Sequence, residues 1–80
     1  MYNKDKKLNQ ALKIAMIHHN INNNDLAARL EKSKQATSNL LKQDNYTLDT
    51  LDNLLSAIGY KLQLIFIDAE GNNDIKIDMD

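Results

Sequence analysis

Two helix-start signals stand so close together in this chain that the helix between them must be short. Asn22 begins the first. Read as an N-cap, it places Asp25 at N3, where side chain and backbone can satisfy each other in a capping-box-like pair. The same register sets Ile21 and Leu26 on either side of the boundary as a hydrophobic staple. Ser33 is the second N-cap. Between the two signals Leu26, Ala27 and Leu30 supply only two turns of apolar face, and beyond Ser33 the inward candidates are Ala36, Thr37, Leu40 and Leu41. Helices this short do not persist alone, so tertiary packing must hold the pair.

The flanking segments can provide that packing. From about Lys4 to His19, Leu8, Ala11, Leu12, Ala15 and Met16 make an apolar stripe at helical spacing, flanked by Ile14 and Ile17. His18, His19 and Asn20 read as its end: histidine suits the negative end of the helix dipole, and Asn tolerates a left-handed stop. Lys42 to Tyr46 reads as a loop. Thr47 caps a further helix with Asp49 in its first turn, and Tyr46 with Leu51 forms a second staple. Leu48, Leu51, Leu54, Leu55 and Ile58 form its stripe, closed by Gly59. From Tyr60 the period changes to two, with Leu62, Leu64 and Phe66 on one face of a strand and Lys61, Gln63, Ile65 and Ile67 on the other. Glu70 to Asn73 is a turn cluster, and Ile75, Ile77 and Met79 alternate beyond it. The expected fold is mainly α with a C-terminal β-hairpin: four short helices over 1–59 and a hairpin over 60–80, together one domain.

Composition narrows the chemistry. Eighty residues suffice for a single small core, which a second copy would reinforce. Without cysteine there is no disulfide framework and no thiolate zinc site. No apolar run approaches a membrane span and no secretory stretch opens the chain, so a cytoplasmic location is expected. His18 and His19 are adjacent, cannot share a helix face as metal ligands, and are expected to be a solvated helix end. The carboxylates lack a neighbouring base, nucleophile or phosphate-binding loop, so neither a catalytic site nor a cofactor or metal site is expected. The overall charge of -1 conceals a division. Residues 1–46 carry eight basic against four acidic residues, and residues 47–80 carry two against seven. A basic front and an acidic back suit a molecule that turns one end toward a polyanion.

Residues 22–41 carry the most information. A longer helix followed by two short ones across a tight turn is the helix-turn-helix arrangement. Ala27 is small where the second short helix crosses the first. On that second helix Lys34, Gln35, Ser38 and Asn39 point outward, with no carboxylate among them. The segment resembles the helix-turn-helix of the lambda-repressor-like (Cro/CI, XRE) family, and Thr47 to Tyr60 resembles the helix that follows the motif there, so the likeness covers about residues 8–60.

The resemblance implies base contacts from Lys34, Gln35 and Asn39 with Ser38 beside them. It also implies phosphate contacts from Asn23, Ser33 and the Lys42 to Thr47 loop, including Tyr46 and Thr47. The family favours Gly where Glu31 stands, an aliphatic residue where Lys32 stands, and Val or Ile where Thr37 stands. A different turn or a slightly shifted partner helix would accommodate the first two.

A lone hairpin with apolar residues on both faces is marginal in water. Leu62, Leu64, Ile65, Phe66, Ile67, Ile75 and Ile77 are therefore the candidate dimer surface, one face covering the helices and an edge pairing with a second copy; folding wholly onto its own helices is the alternative. The expectation is a repressor that binds an inverted repeat in double-stranded DNA as a homodimer. The alternative is a protein-binding inhibitor on the same scaffold, directed at a toxin or a host nucleoprotein through its acidic hairpin.

Overall fold

A computed structural model describes residues 6–78. Four helices are followed by one antiparallel hairpin: α1 (Lys7–His18), α2 (Asn23–Leu30), α3 (Lys34–Leu41), α4 (Leu48–Ile58), β1 (Gln63–Phe66) and β2 (Ile75–Asp78). The expected helix start at Lys4 and the strand position Met79 lie outside the described residues.

Local signals set the helix ends. Asn22 Oδ1 accepts from the Asp25 N–H at 2.8 Å while the Asp25 carboxylate accepts from the Asn22 N–H at 3.2 Å, a complete capping box. The staple residues Ile21 and Leu26 are both buried. Ser33 Oγ accepts from the Ala36 N–H and Thr47 Oγ1 from the Thr50 N–H, both at 3.1 Å. Asn20 takes a left-handed φ of 58° after α1, and Gly59 one of 100° after α4. In that conformation the N–H groups of Gly59 and Tyr60 both reach the Leu55 carbonyl, satisfying the end of α4.

The core sits where the helices converge, with Leu12 and Met16 of α1, Leu26 of α2, Leu41 of α3 and Leu51, Leu54 and Ile58 of α4 around Ile21 and Tyr46. Two inward assignments differ. Ala11 is exposed and Asn9 is buried in α1, because the helix turns its stripe toward the Leu8, Asn9, Leu12 and Met16 side. Ala36 is exposed because Thr37 takes the inward place in α3. The Thr37 hydroxyl donates to the Ser33 carbonyl at 2.9 Å, so its burial leaves no polar atom unmet.

The hairpin pairs within the chain, Gln63 with Asp78, Leu64 with Ile77, Ile65 with Lys76 and Phe66 with Ile75. Opposed residues share a face. Leu64, Phe66, Ile75 and Ile77 therefore form one apolar face, while Gln63, Ile65, Lys76 and Asp78 form the other. The expected cover of the helices by one face does not occur. Leu62 and Tyr60 pack against the core, but the strand residues beyond them do not, and the molecule extends 45 Å along its long axis against 25 and 21 Å across. Phe66 and Ile75 are each 56% exposed. The Asp68 carboxylate, accepting from the Glu70 and Asn73 N–H groups, shapes the connecting loop.

Candidate nucleic-acid interface

The turn between α2 and α3 is the joint of the site. Glu31 ends α2 with φ 56° and ψ 42°, and the Lys32 N–H returns to the Ala27 carbonyl at 3.0 Å. The left-handed conformation is one that glycine adopts without strain. Glu31 accepts that strain instead of altering the turn, and its side chain and that of Lys32 lie in solvent. Ala27 is buried in this joint beside Leu26.

Capped by Ser33, α3 then presents its outer face. Lys34, Gln35 and Asn39 are exposed and Ser38 is half-buried. Gln35 Nε2 donates to Asn39 Oδ1 at 3.1 Å, one helical turn apart. That contact holds the two amides together on the exposed face of the helix. Asn23 at the start of α2 is exposed, as are Ser33, Lys42 and Thr47. The Thr47 hydroxyl serves α4, accepting from the Thr50 N–H and bonded to the Thr50 hydroxyl at 2.9 Å.

Tyr46 departs from the expected phosphate contacts. It is 1% exposed, its hydroxyl donates to the Leu40 carbonyl at 2.7 Å, and it accepts from Asn9 Nδ2 at 3.1 Å. A hydroxyl so placed cannot reach a phosphate, so Tyr46 belongs to the support of the site. Burial pushes its phenol above the ordinary value.

Asn9 is the residue that patterning missed. Its Nδ2 reaches the carbonyls of Leu41 at 2.8 Å and Gln43 at 3.0 Å as well as Tyr46, tying α1 to the chain as it leaves α3. The available signal was an Asn spaced i+3 and i+7 from Leu12 and Met16. Lys6 reinforces the same loop through an ion pair to Asp44 at 2.8 Å, and its ammonium holds the Asp44 carboxyl below the ordinary value.

Two further polar anchors brace α4. Arg29 donates to the Ala57 carbonyl at 2.8 Å. His19 Nδ1 lies 2.8 Å from the Ile58 carbonyl, which can only accept, and its ring stacks on Tyr60 with centroids 4.3 Å apart. The histidine pair is thus more than a solvated helix end: His19 pins the last turn of α4, and His18 Nδ1 lies 3.3 Å from the Tyr60 hydroxyl.

No group of residues able to hold a metal occurs among the described residues, and no helix there is long and apolar enough to cross a membrane. Two short helices across a constrained turn, with an uncharged-to-basic outer face on the second, define a helix-turn-helix DNA-binding domain. The model of the Cro/C1-type HTH DNA-binding domain matches residues 11–67, and the chain belongs to that family. It is accordingly a DNA-binding transcription regulator, of a family that is typically non-enzymatic. Neither the curated proteins nor the solved structures compared give a match.

Proposed function

We propose that the protein is a repressor that binds an inverted-repeat operator as a homodimer joined through its hairpins. The observation that carries the DNA half of this reading is the paired Gln35 and Asn39 amides on the outer face of α3, with Lys34 beside them and no carboxylate on that face. An Asn or Gln amide, carrying one acceptor and one donor group, matches the N6 donor and N7 acceptor of adenine in the major groove. Asn23, Ser33, Lys42 and Thr47 flank that face as candidate phosphate contacts.

The dimer half rests on the apolar face of Leu64, Phe66, Ile75 and Ile77, of which Phe66 and Ile75 are exposed, with Leu62 at its root and Ile65 and Ile67 on the opposite side. A single short recognition helix offers few base contacts, and two copies spaced about 34 Å apart double them. Selection of bound sites from random DNA tests the reading. Recovery of a palindromic site whose half-sites are about one DNA turn apart supports it, and recovery of unrelated sequences rejects it.

The second reading, a protein-binding inhibitor, draws on the hairpin loop, where exposed Asp68-loop residues Glu70 and Asp74 sit near the exposed Ile67. Such a surface suits a basic partner with an apolar centre. Capture of one specific partner from the native host, lost in Glu70→Gln, would favour it over the plain repressor.

A further inference from the structure

Between α1, the start of α2 and α3 lies a groove of about 490 Å³, a size typical of small-molecule sites. Met16, Ile21 and Leu41 show through at its floor, and Ile17 stands at its side with 74% of its surface exposed. Lys13 and Lys42 also line it, and no carboxylate does. The ion pairs among the described residues engage Lys6 and Lys61, so neither groove ammonium is neutralised there. The groove therefore combines an apolar bed with two uncompensated positive charges.

DNA alone does not account for this combination. A phosphate chain would use Lys42 and Asn23 but would gain little from Ile17 and the floor beneath it. An occupant satisfying both features has an alkyl chain to cover the bed and an anionic head to meet the lysines. We propose that this groove binds an amphiphilic anion, a single alkyl chain ending in a carboxylate, and that its occupancy opposes DNA binding. The second part rests on the reading of α3 as the DNA-facing helix. The groove shares Ser38 and Lys42 with that helix and its exit, and Asn23 with the start of α2. An occupant there crowds the same surface and places a negative head where a phosphate would approach.

Decanoate is a suitable probe, with decanol as its uncharged counterpart, both below micelle-forming concentrations and both titrated into the isotope-labelled full chain. Decanoate should shift the amide signals of Ile17, Ser38 and Lys42 saturably and bind more tightly than decanol. Lys13→Gln should weaken decanoate by about three- to fivefold, the scale of one exposed charge pair, while leaving decanol unchanged. Ile17→Ser should weaken both. The two positions are exposed, and circular dichroism checks that each variant folds.

In fluorescence anisotropy, decanoate should displace a DNA fragment from the wild-type chain and do so less well from Lys13→Gln. Equal binding of decanol and decanoate, shifts centred on Phe66 and Ile75, or binding without displacement of DNA would each overturn the proposal. Affinity for DNA without decanoate is measured in the same series. Its absence would count against the DNA-facing role of α3, whereas intact DNA binding that ignores decanoate rejects the groove alone.

Discussion

The Asn9 amide lies 3.1 Å from the Tyr46 hydroxyl, and through that contact α1 holds the loop that leaves α3. Both side chains are buried, so the partners they satisfy would be left unmet without them. Asn9→Leu should cost about 2–3 kcal/mol, because the Leu41 and Gln43 carbonyls and Tyr46 each lose a donor. Tyr46→Phe should cost about 1 kcal/mol through the Leu40 carbonyl. Urea denaturation followed by circular dichroism measures both.

The same tyrosine predicts an alkaline limit. Its phenol titrates above the ordinary 10.0, so the folded chain keeps a proton that the unfolded chain releases. The associated stability is intact below pH 10.0 and is lost as pH rises through the folded value. Stability against pH for Tyr46→Phe should fall less steeply in that range than for the wild-type chain.

Glu31 carries a removable strain. Glu31→Gly relieves the left-handed conformation at the α2–α3 turn and should stabilise the fold by about 0.5–1 kcal/mol, net of the greater freedom of glycine when unfolded. A melting temperature that falls instead would show that the glutamate side chain contributes more than its backbone loses.

At Gly59 the opposite holds. A Cβ there would lie 2.7 Å from His19 Nδ1 on a backbone with φ of 100°. Gly59→Ala should destabilise by about 1–2 kcal/mol and displace the His19 ring from the Ile58 carbonyl. The cost should be smaller in a His19→Ala background, since the clash is then gone and only the backbone strain remains.

On the DNA surface, Gln35→Ala and Asn39→Ala should each lose roughly 1–3 kcal/mol on the selected operator and little on random DNA. Lys42→Ala should weaken both alike and reduce the salt dependence by about one unit. Anisotropy titrations at several salt concentrations separate the two behaviours.

For the hairpin, Phe66→Lys places a charge at the exposed end of its apolar face, beside Ile75. The variant should sediment as a monomer with unchanged helical circular dichroism, and its operator affinity should drop with the loss of the second half-site contact. A wild-type chain that is itself monomeric at tens of micromolar, the order at which weak interfaces still associate, would exclude the hairpin dimer.

What the sequence determined by itself is the order of elements, where α2, α3 and α4 begin, and where α1 and α4 end. The caps at Asn22, Ser33 and Thr47 and the stops at Asn20 and Gly59 act through bonds spanning a few residues, so their signals are written locally. The outer face of α3 was legible for the same reason, as the complement of its Thr37 and Leu41 side.

Only the tertiary structure decided which polar residues go inside and what the hairpin covers. Asn9 looks like a surface residue until the carbonyls of Leu41 and Gln43, at the end of α3 and just beyond it, receive its amide, and Ala11 and Ala36 look like core until their helices rotate into place. Alternation alone marked Leu64, Phe66, Ile75 and Ile77 as an apolar face but could not show that Phe66 and Ile75 would stay exposed beyond the helices. Burial depends on contacts between residues far apart in the chain, and a periodic pattern records a face without recording its partner.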